Sequence, residues 1–129
     1  MKNDTPRLGL CALPSFVIAL STWAGAAWAD PPDITSVTAQ RSAAMGWRFD
    51  VTLSHPDTGW DHYANGWQVE LADGTVLGAR ELHHPHVDEQ PFTRSLSSVM
   101  LPDGTRQVFI RAHCSKDDHS VAVAVEVAP

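Results

Sequence analysis

The stretch GWRFDVTLS, residues 46–54, decides the fold class because its apolar and polar residues alternate without a break. Four apolar side chains fall on one side of the stretch, at Trp47, Phe49, Val51 and Leu53. The polar side chains between them fall on the other side. Successive side chains of a β-strand point to opposite faces, so this period of two predicts a strand with one buried face.

The rest of the chain repeats this pattern in short segments separated by turn-forming residues. Six further strands are predicted, at residues 34–41, 66–72, 75–82, 92–100, 105–113 and 121–127. The pair Asp73-Gly74 predicts a tight hairpin, since both residue types tolerate the positive φ of a primed turn. Seven short strands in about 100 residues predict an all-β, seven-stranded β-sandwich of the immunoglobulin or fibronectin type III kind, with a small barrel as the alternative.

The first 29 residues have the composition of a targeting segment. A basic beginning precedes an apolar run at residues 8–20, and Ala27-Trp28-Ala29 is a small-x-small cleavage site. This order of features is typical of a secretory signal peptide. We therefore predict a signal peptide at residues 1–29, a β-sandwich domain at residues 30–129, and a periplasmic or secreted protein.

Charge and hydropathy exclude two classes of partner. The chain has 9 Lys and Arg against 15 Asp and Glu, which gives a formal net charge of −6 with neutral histidines. Such an acidic protein is unsuited to nucleic acid, whose phosphates attract basic surfaces. Beyond the leader no apolar run is long enough to span a bilayer. We expect no nucleic-acid partner and no membrane span after the signal is removed.

Two cysteines bear on the chemistry of the exported chain. Cys11 lies in the predicted leader, so Cys114 is the one thiol of residues 30–129 and no internal disulfide is expected. An unpaired cysteine in an oxidising compartment is a buried small side chain, an intermolecular partner or a metal ligand. The residues before Cys11 lack the small residue of a lipoprotein signal, so soluble export is expected.

All seven histidines lie beyond the leader, around three of the predicted connections. They are His55 and His62 after the second strand, His83, His84 and His86 after the fourth, and His113 and His119 around the connection after the sixth. Because antiparallel strands reverse direction at each step, these three connections are expected at one end of the sandwich. Imidazole, together with the thiolate of Cys114, is a favoured ligand of copper, iron and zinc.

This clustering predicts a transition-metal site built from loop residues on a rigid scaffold. The leading candidate ligands are His62, His84, His86, His113, Cys114 and His119, with His55 and His83 as secondary candidates. Copper or iron is preferred to zinc, because loop-borne ligands do not form the closed tetrahedral knuckle of structural zinc sites. The alternative is that the loop histidines are solvated and hold no ion.

Two segments, WDHYANGW (residues 60–67) and HPHVDEQPFTRS (residues 84–95), resemble a group of small secreted bacterial β-sandwich proteins of unassigned function. The resemblance covers most of the chain beyond the leader. It implies an exported β-sandwich, and it brings no established activity with it.

The segment HPDTGWDHY, residues 55–63, resembles the His-Pro…His-Tyr stretch of superoxide reductases of the desulfoferrodoxin and neelaredoxin type. That resemblance implies an immunoglobulin-like sandwich whose single iron is held by loop histidines and one cysteine, with His55 and His62 among the ligands. Cys114 and His119 resemble the carboxyl-terminal Cys and His pair of that family, although the spacing between them is longer here. The amino-terminal Glu and Lys-His element of the family has no counterpart before the second strand.

Three functional hypotheses follow from the sequence. The first is an exported protein that binds one copper or iron ion at one end of the sandwich, in metal handling or redox chemistry. The second is a superoxide reductase-like enzyme. The third is a non-catalytic interaction module, which would hold a periplasmic protein partner through an exposed sheet edge or through the surface of Trp60 and Tyr63.

Overall fold

The computed structural model describes Gly9 and residues 30–128, so the predicted signal peptide lies outside the described residues except for Gly9. Between residues 30 and 128 the chain forms seven strands and no helix. The strands are β1 (Asp33–Arg41), β2 (Trp47–Ser54), β3 (Ala64–Glu70), β4 (Val76–Glu81), β5 (Phe92–Val99), β6 (Gln107–Cys114) and β7 (Val123–Glu126). All seven predicted strands are confirmed, with ends that differ by at most two residues.

The strands form two antiparallel sheets, ordered β1-β2-β5 and β4-β3-β6-β7. The chain crosses from one sheet to the other after β2, after β4 and after β5. The all-β class and the division of the strands between two sheets are therefore confirmed. No helix in the described part of the chain has the length and apolar composition needed to cross a membrane.

Both sheets bury side chains in one apolar core. The alternate residues Phe49, Val51 and Leu53 of β2 are fully buried, as the period of two predicts. The same core contains the fully buried Trp67 of β3 and Ile110 of β6. Burial of an aliphatic or aromatic side chain contributes about 1.5–3 kcal/mol relative to its exposure, so this core holds the two sheets together.

The β3–β4 hairpin differs from the primed turn expected from Asp73-Gly74. The N–H of Leu71 donates to the carbonyl of Thr75 at 2.9 Å, so three residues form the loop. Gly74 adopts a φ of +87°, whereas Asp73 keeps an ordinary φ and its side chain accepts a hydrogen bond from the Thr75 N–H at 2.9 Å. A three-residue hairpin loop needs one left-handed residue at its end, and glycine adopts that conformation without a steric penalty.

The strand registers place the three histidine-bearing connections at one end of the molecule. Leu53, near the end of β2, pairs with Phe92 at the start of β5. Ala64 at the start of β3 pairs with Cys114 at the end of β6. The connections at this end, called the histidine end below, are residues 55–63, 82–91 and 115–122. The expectation that these connections share one end is confirmed.

Asp50 links two neighbouring strands on the outer face of the β1-β2-β5 sheet. Its Oδ1 accepts a hydrogen bond from Nε of Arg48 at 3.1 Å and another from the hydroxyl of Ser95. The Ser95 hydroxyl and then the Arg48 guanidinium lower the pKa of Asp50 below its ordinary value of 3.8, because both stabilise the carboxylate.

We expect Asp50→Asn to lower the free energy of unfolding by about 1 kcal/mol at about pH 7, and by much less well below pH 3.8. The carboxylate has a lower pKa in the folded protein than in the unfolded chain. Its contribution is therefore present above the unfolded-state pKa and is lost as the pH falls through the folded-state pKa. Urea unfolding at the two pH values measures the difference.

Asp103→Asn is the matched control, because Asp103 is exposed in the β5–β6 turn. It should change the free energy of unfolding by less than about 0.5 kcal/mol at either pH. An equal loss at both pH values in Asp50→Asn would show that the charge of Asp50 does not stabilise this sheet.

Candidate metal centre at the histidine end

Three side chains from the two sheets converge at the histidine end. One ring nitrogen of His55, one ring nitrogen of His62 and Sγ of Cys114 all lie within 4.8 Å of one another. His55 directly follows β2, His62 lies two residues before β3, and Cys114 is the last residue of β6. Within residues 30–128, this is the group of three or more His, Cys, Asp or Glu side chains close enough to share one ion.

The β2–β3 connection folds back on itself, which brings His62 beside His55. The N–H of Thr58 donates to the carbonyl of His62 at 3.0 Å, and the N–H of His62 donates to the carbonyl of Gly59 at 3.2 Å. Gly59 has a φ of +147°, a conformation that side-chain-bearing residues rarely adopt. The rings of His55 and His62 meet edge to face with their centroids 4.7 Å apart.

Cys114 points into the sandwich and its neighbour His113 points out. The thiol is 1% exposed, whereas His113 is half-buried on the other side of β6. A tight turn follows, in which the N–H of Asp117 donates to the carbonyl of Cys114 at 3.0 Å. The expectation that one of the two neighbours faces inward is confirmed. A thiol this deeply buried is out of reach of large substrates, which disfavours a role as a nucleophile.

Both ring nitrogens of His55 contact hydrogen-bond acceptors. Nδ1 lies 2.5 Å from Oδ1 of Asp57, and Nε2 lies 3.0 Å from the carbonyl oxygen of Asp30. A carboxylate and a carbonyl both accept, and a neutral imidazole donates from one nitrogen only, so the tautomer of His55 decides which of the two contacts is a hydrogen bond. Neither His55 nor Asp57 has an exposed side chain at this contact.

The carboxylate of Asp57 connects three segments of the chain. Besides the contact with His55, it accepts a hydrogen bond from the N–H of Ala64 at 2.9 Å and from the N–H of His86 at 2.8 Å. The β2–β3 connection is thereby joined to the first residue of β3 and to the β4–β5 connection. A carboxylate on Nδ1 is the usual partner of a metal-binding histidine, because it orients the ring and leaves Nε2 for the ion.

His62 has a polar atom without a partner. Its Nε2 is buried and makes no hydrogen bond with any residue that the structure describes. Buried polar groups in folded proteins are nearly always paired, and a bound ion is one of the few explanations for an exception. The position of His62 in the group therefore fits a metal ligand better than a core histidine.

The spacing of the three ligand atoms fits an ion after a small adjustment. Metal bonds of about 2.0–2.3 Å to imidazole nitrogen and thiolate sulfur place the ligands of one ion roughly 3.3–3.8 Å apart. Ligand atoms separated by up to 4.8 Å then need shifts of about 1 Å to reach this spacing. The carbonyl of Asp30 must also leave Nε2 of His55 before that nitrogen can bind.

His84 and His86, in the β4–β5 connection, form a separate pair outside this group. Their ring centroids are 4.5 Å apart, and the ring of His86 stacks on Phe92 at 3.9 Å. Arg94 donates to Nε2 of His86 at 2.8 Å, so that nitrogen is engaged in a hydrogen bond. Burial and, less strongly, the charge of Arg94 lower the pKa of His86. His83 is exposed beside them.

His113 and His119 form a second pair, on the outer face of the β4-β3-β6-β7 sheet. Their ring centroids are 5.6 Å apart, and Nδ1 of His113 lies 2.6 Å from Oδ1 of Asn65. Burial is the main cause that lowers the pKa of His113, and the neighbouring His119 is the second. Of the six leading candidates, His62 and Cys114 therefore join the group, and the other four form two pairs outside it.

Two residues of the site are not among the leading candidates predicted from the sequence. His55 belongs to the group although it is a secondary candidate above, and Asp57 is not among the predicted ligands. A signal was present in His55-Pro56-Asp57, because residues two apart in an extended segment face the same side. The contact between Asp30 and His55 has no such signal, since it joins residues 25 positions apart.

One known protein resembles the chain over much of its length. Over 81 residues the chain is 44% identical to a protein of Halomicrobium mukohataei described as "Putative lipoprotein". The match covers 63% of this chain and 39% of the relative, so the chain spans about two fifths of the length of the relative that it matches. No family model matches the chain, and no solved structure matches it.

We expect Asp57→Ala to lower the free energy of unfolding by about 3–5 kcal/mol. The variant leaves Nδ1 of His55 and the N–H groups of Ala64 and His86 buried without the carboxylate that they contact. Asp57→Asn retains one oxygen acceptor and the side-chain volume, so it should lower the free energy of unfolding by less than Asp57→Ala does. Chemical denaturation of the three proteins measures these differences.

Asp61→Ala is the matched control, because Asp61 is an exposed carboxylate of the same connection. Asp61→Ala should lower the free energy of unfolding by less than about 1 kcal/mol. If Asp57→Ala destabilised the protein no more than Asp61→Ala, the histidine end would not depend on the buried carboxylate.

Proposed function

We propose that this chain is an exported protein that binds one copper or iron ion at the histidine end, through His55, His62 and Cys114. The observation that carries the proposal is the convergence of these three side chains, with the unpartnered Nε2 of His62 among them. Imidazole nitrogen and thiolate sulfur together suit copper and iron. The bound ion would serve in metal handling or in redox chemistry on a small oxidant.

The donor set supports copper over iron. Two imidazoles and one thiolate are the strong ligands of trigonal copper sites, in which the soft sulfur is the characteristic donor. The histidine-rich iron site of the superoxide reductases uses more nitrogen ligands than the group at the histidine end offers. The pairs His84–His86 and His113–His119 lie outside the group, so they do not supply the missing nitrogens in this arrangement.

Residues of the chain itself would prepare the site for an ion. Asp57 contacts Nδ1 of His55 and orients the ring, so that Nε2 would be the ligand atom. Cys114 would bind as a thiolate, and its binding releases a proton. The carbonyl of Asp30 closes the site at Nε2 of His55, so loading requires the start of the domain to move aside. On loading, the contact between Nε2 of His55 and the carbonyl of Asp30 would be replaced by a bond from Nε2 to the ion.

The strand order supports the immunoglobulin or fibronectin type III kind of sandwich. That kind has about seven strands in two antiparallel sheets around one core. Here three strands, β1-β2-β5, and four strands, β4-β3-β6-β7, surround the side chain of Trp67. The loops at one end of such a sandwich are the usual place for a binding site.

Export is supported by the leader composition and by the relative's printed name. A basic beginning, an apolar run and the Ala27-Trp28-Ala29 site favour cleavage before Asp30. The relative is described as "Putative lipoprotein", and this description supports export of the present chain. For this chain we propose release into the periplasm or the medium, since the residues before Cys11 lack the small residue of a lipoprotein signal.

A superoxide reductase-like activity is the second candidate. His55, His62 and Cys114 are three of the positions that resemble ligands of that family, and their convergence favours the idea. His119 is the fourth such position, and it pairs with His113 on the outer face of the sheet. The activity would therefore depend on a centre with fewer histidines than the family uses.

An interaction surface is the third candidate, and it lies beside the proposed centre. Trp60 is 70% exposed and packs edge to face on Tyr63 with ring centroids 5.7 Å apart. Exposed tryptophan and tyrosine side chains are enriched where proteins bind one another. A periplasmic protein partner that docks on Trp60 would contact the same connection that carries His55 and His62.

We expect protein purified from the exporting cells without chelator to contain at least one metal ion per chain, measured by elemental analysis. The copper-loaded protein should show a thiolate-to-copper absorption band, because Cys114 supplies the sulfur. Cys114→Ser should abolish that band, and His62→Ala should raise the copper concentration needed to develop it at least about tenfold.

His83→Ala is the control, because His83 is exposed and lies outside the group. It should leave metal content and absorption unchanged. Copper-treated wild-type protein that is folded but shows no thiolate-to-copper band, or Cys114→Ser protein with undiminished metal, would rule out this centre.

For the superoxide reductase candidate, iron-loaded protein should consume superoxide, and Cys114→Ser should abolish this consumption because it removes the thiolate from the iron. Rates are measured in a stopped-flow mixer with the His83→Ala protein as reference. Equal rates in the Cys114→Ser and reference proteins would eliminate this candidate and leave metal handling.

A further inference from the structure

His113 and His119 face each other across an antiparallel pairing beyond the end of the β7 ladder. The N–H of Ser120 donates to the carbonyl of Ala112 at 2.8 Å, and the N–H of Cys114 donates to the carbonyl of Asp118 at 3.0 Å. These two bonds flank the bridge between His113 and His119, so the two histidines are a non-hydrogen-bonded pair. At such positions the Cα atoms are about 4.5 Å apart and the side chains lie together on one face.

The ring of His113 is held in an orientation that suits metal binding. Nδ1 lies 2.6 Å from Oδ1 of Asn65, so Nδ1–H donates to the amide oxygen and the lone pair of the neutral ring is on Nε2. Most metal-binding histidines donate the N–H of the nitrogen that does not bind the ion to such an acceptor, which sets the tautomer and the ring plane. Asn65 therefore prepares Nε2 of His113 as a ligand.

Gly66 provides the space that this ring occupies. A Cβ atom at position 66 would lie 2.6 Å from Cε1 and 2.9 Å from Nε2 of His113. The Cε1–Nε2 side of the ring therefore occupies the space that a side chain at position 66 would fill. Any larger residue at position 66 would displace the ring, so the glycine and the ring position depend on each other.

The separation of the two rings matches one shared ion. Two imidazoles bound to one ion through bonds of about 2.0 Å have centroids roughly 4.5–6.3 Å apart, from adjacent to opposite coordination positions. The observed 5.6 Å lies within this range. His119 is exposed, so water can complete the coordination sphere of an ion held by the two rings.

We propose that His113 and His119 form a second metal site, which binds a divalent transition-metal ion on the outer face of the β4-β3-β6-β7 sheet. Among first-row divalent ions Cu²⁺ binds nitrogen ligands most tightly, so Cu²⁺ is the preferred ion. Cys114 points to the opposite face of the same sheet, so this site is separate from the buried group. It is a two-imidazole site without sulfur, and it does not depend on the existence of the buried centre.

The experiment uses the whole protein with Cys114→Ser, which removes the thiolate of the buried group. Cu²⁺ alone is titrated, and binding is followed by calorimetry and by electron paramagnetic resonance. We expect one ion per chain with splitting from two nitrogens. His119→Ala in this background should weaken the affinity at least about tenfold, and Asn65→Leu should weaken it by about 10–100-fold.

His84→Ala in the same background is the matched control, because His84 is an exposed histidine of another connection. It should leave the affinity unchanged, and circular dichroism verifies that each variant is folded. No saturable Cu²⁺ binding in the Cys114→Ser protein, or equal affinities with and without His119, would overturn the second site. Failure of the buried centre would appear elsewhere, as an absent thiolate band in the protein that retains Cys114.

Discussion

The buried carboxylate of Asp57 is the contact on which the histidine end depends. A lone charge in a protein interior costs several kcal/mol, so a carboxylate with no exposed surface requires donors on all sides. Asp57 receives them from the ring of His55 and from the backbone N–H groups of Ala64 and His86. Since these donors belong to different connections and strands, the carboxylate sets their positions relative to one another.

This constraint also determines what His55 can do. With Nδ1 bound to Asp57, the ring presents Nε2 toward whatever acceptor or ion is available. In the structure that acceptor is the carbonyl of Asp30. Among residues 30–128, the neighbouring His62 has no hydrogen-bond partner for its own Nε2, and Cys114 adds the sulfur. The carbonyl of Asp30 and a metal ion would therefore compete for the same nitrogen, so loading of the proposed centre would require the chain around Asp30 to move.

At the end of β6, neighbouring residues belong to two different groups of possible metal ligands. Cys114 faces the core, where its thiol is shielded from solvent, and His113 faces the outer surface of the same sheet. The inner position suits a sulfur-containing centre that excludes water. The outer position suits imidazole ligands and solvent. This division follows from the alternation of side chains along a strand, which sends consecutive residues to opposite faces.

Much of the architecture is predictable from the residues, whereas the members of the His55, His62 and Cys114 group are predictable only in part. The alternation in residues 46–54 identified an inward face whose members Phe49, Val51 and Leu53 are fully buried. Chain reversal at each strand identified the shared end of the three connections. The turn at Asp73-Gly74 was located correctly, but its type was not, because hydrogen bonds between Leu71 and Thr75 set the length of the loop.

Strand positions and their common end follow from side-chain period and chain direction, which are properties of neighbouring residues. Tertiary contacts determine which imidazoles lie together. Nε2 of His86 accepts a hydrogen bond from Arg94 and its ring stacks on Phe92, whereas His55 lies in the group with His62 and Cys114. Contacts such as Asp57 with the N–H of His86, 29 positions away, decide where each loop side chain lies. Such partners meet after the two sheets pack, so no local pattern of residues specifies them.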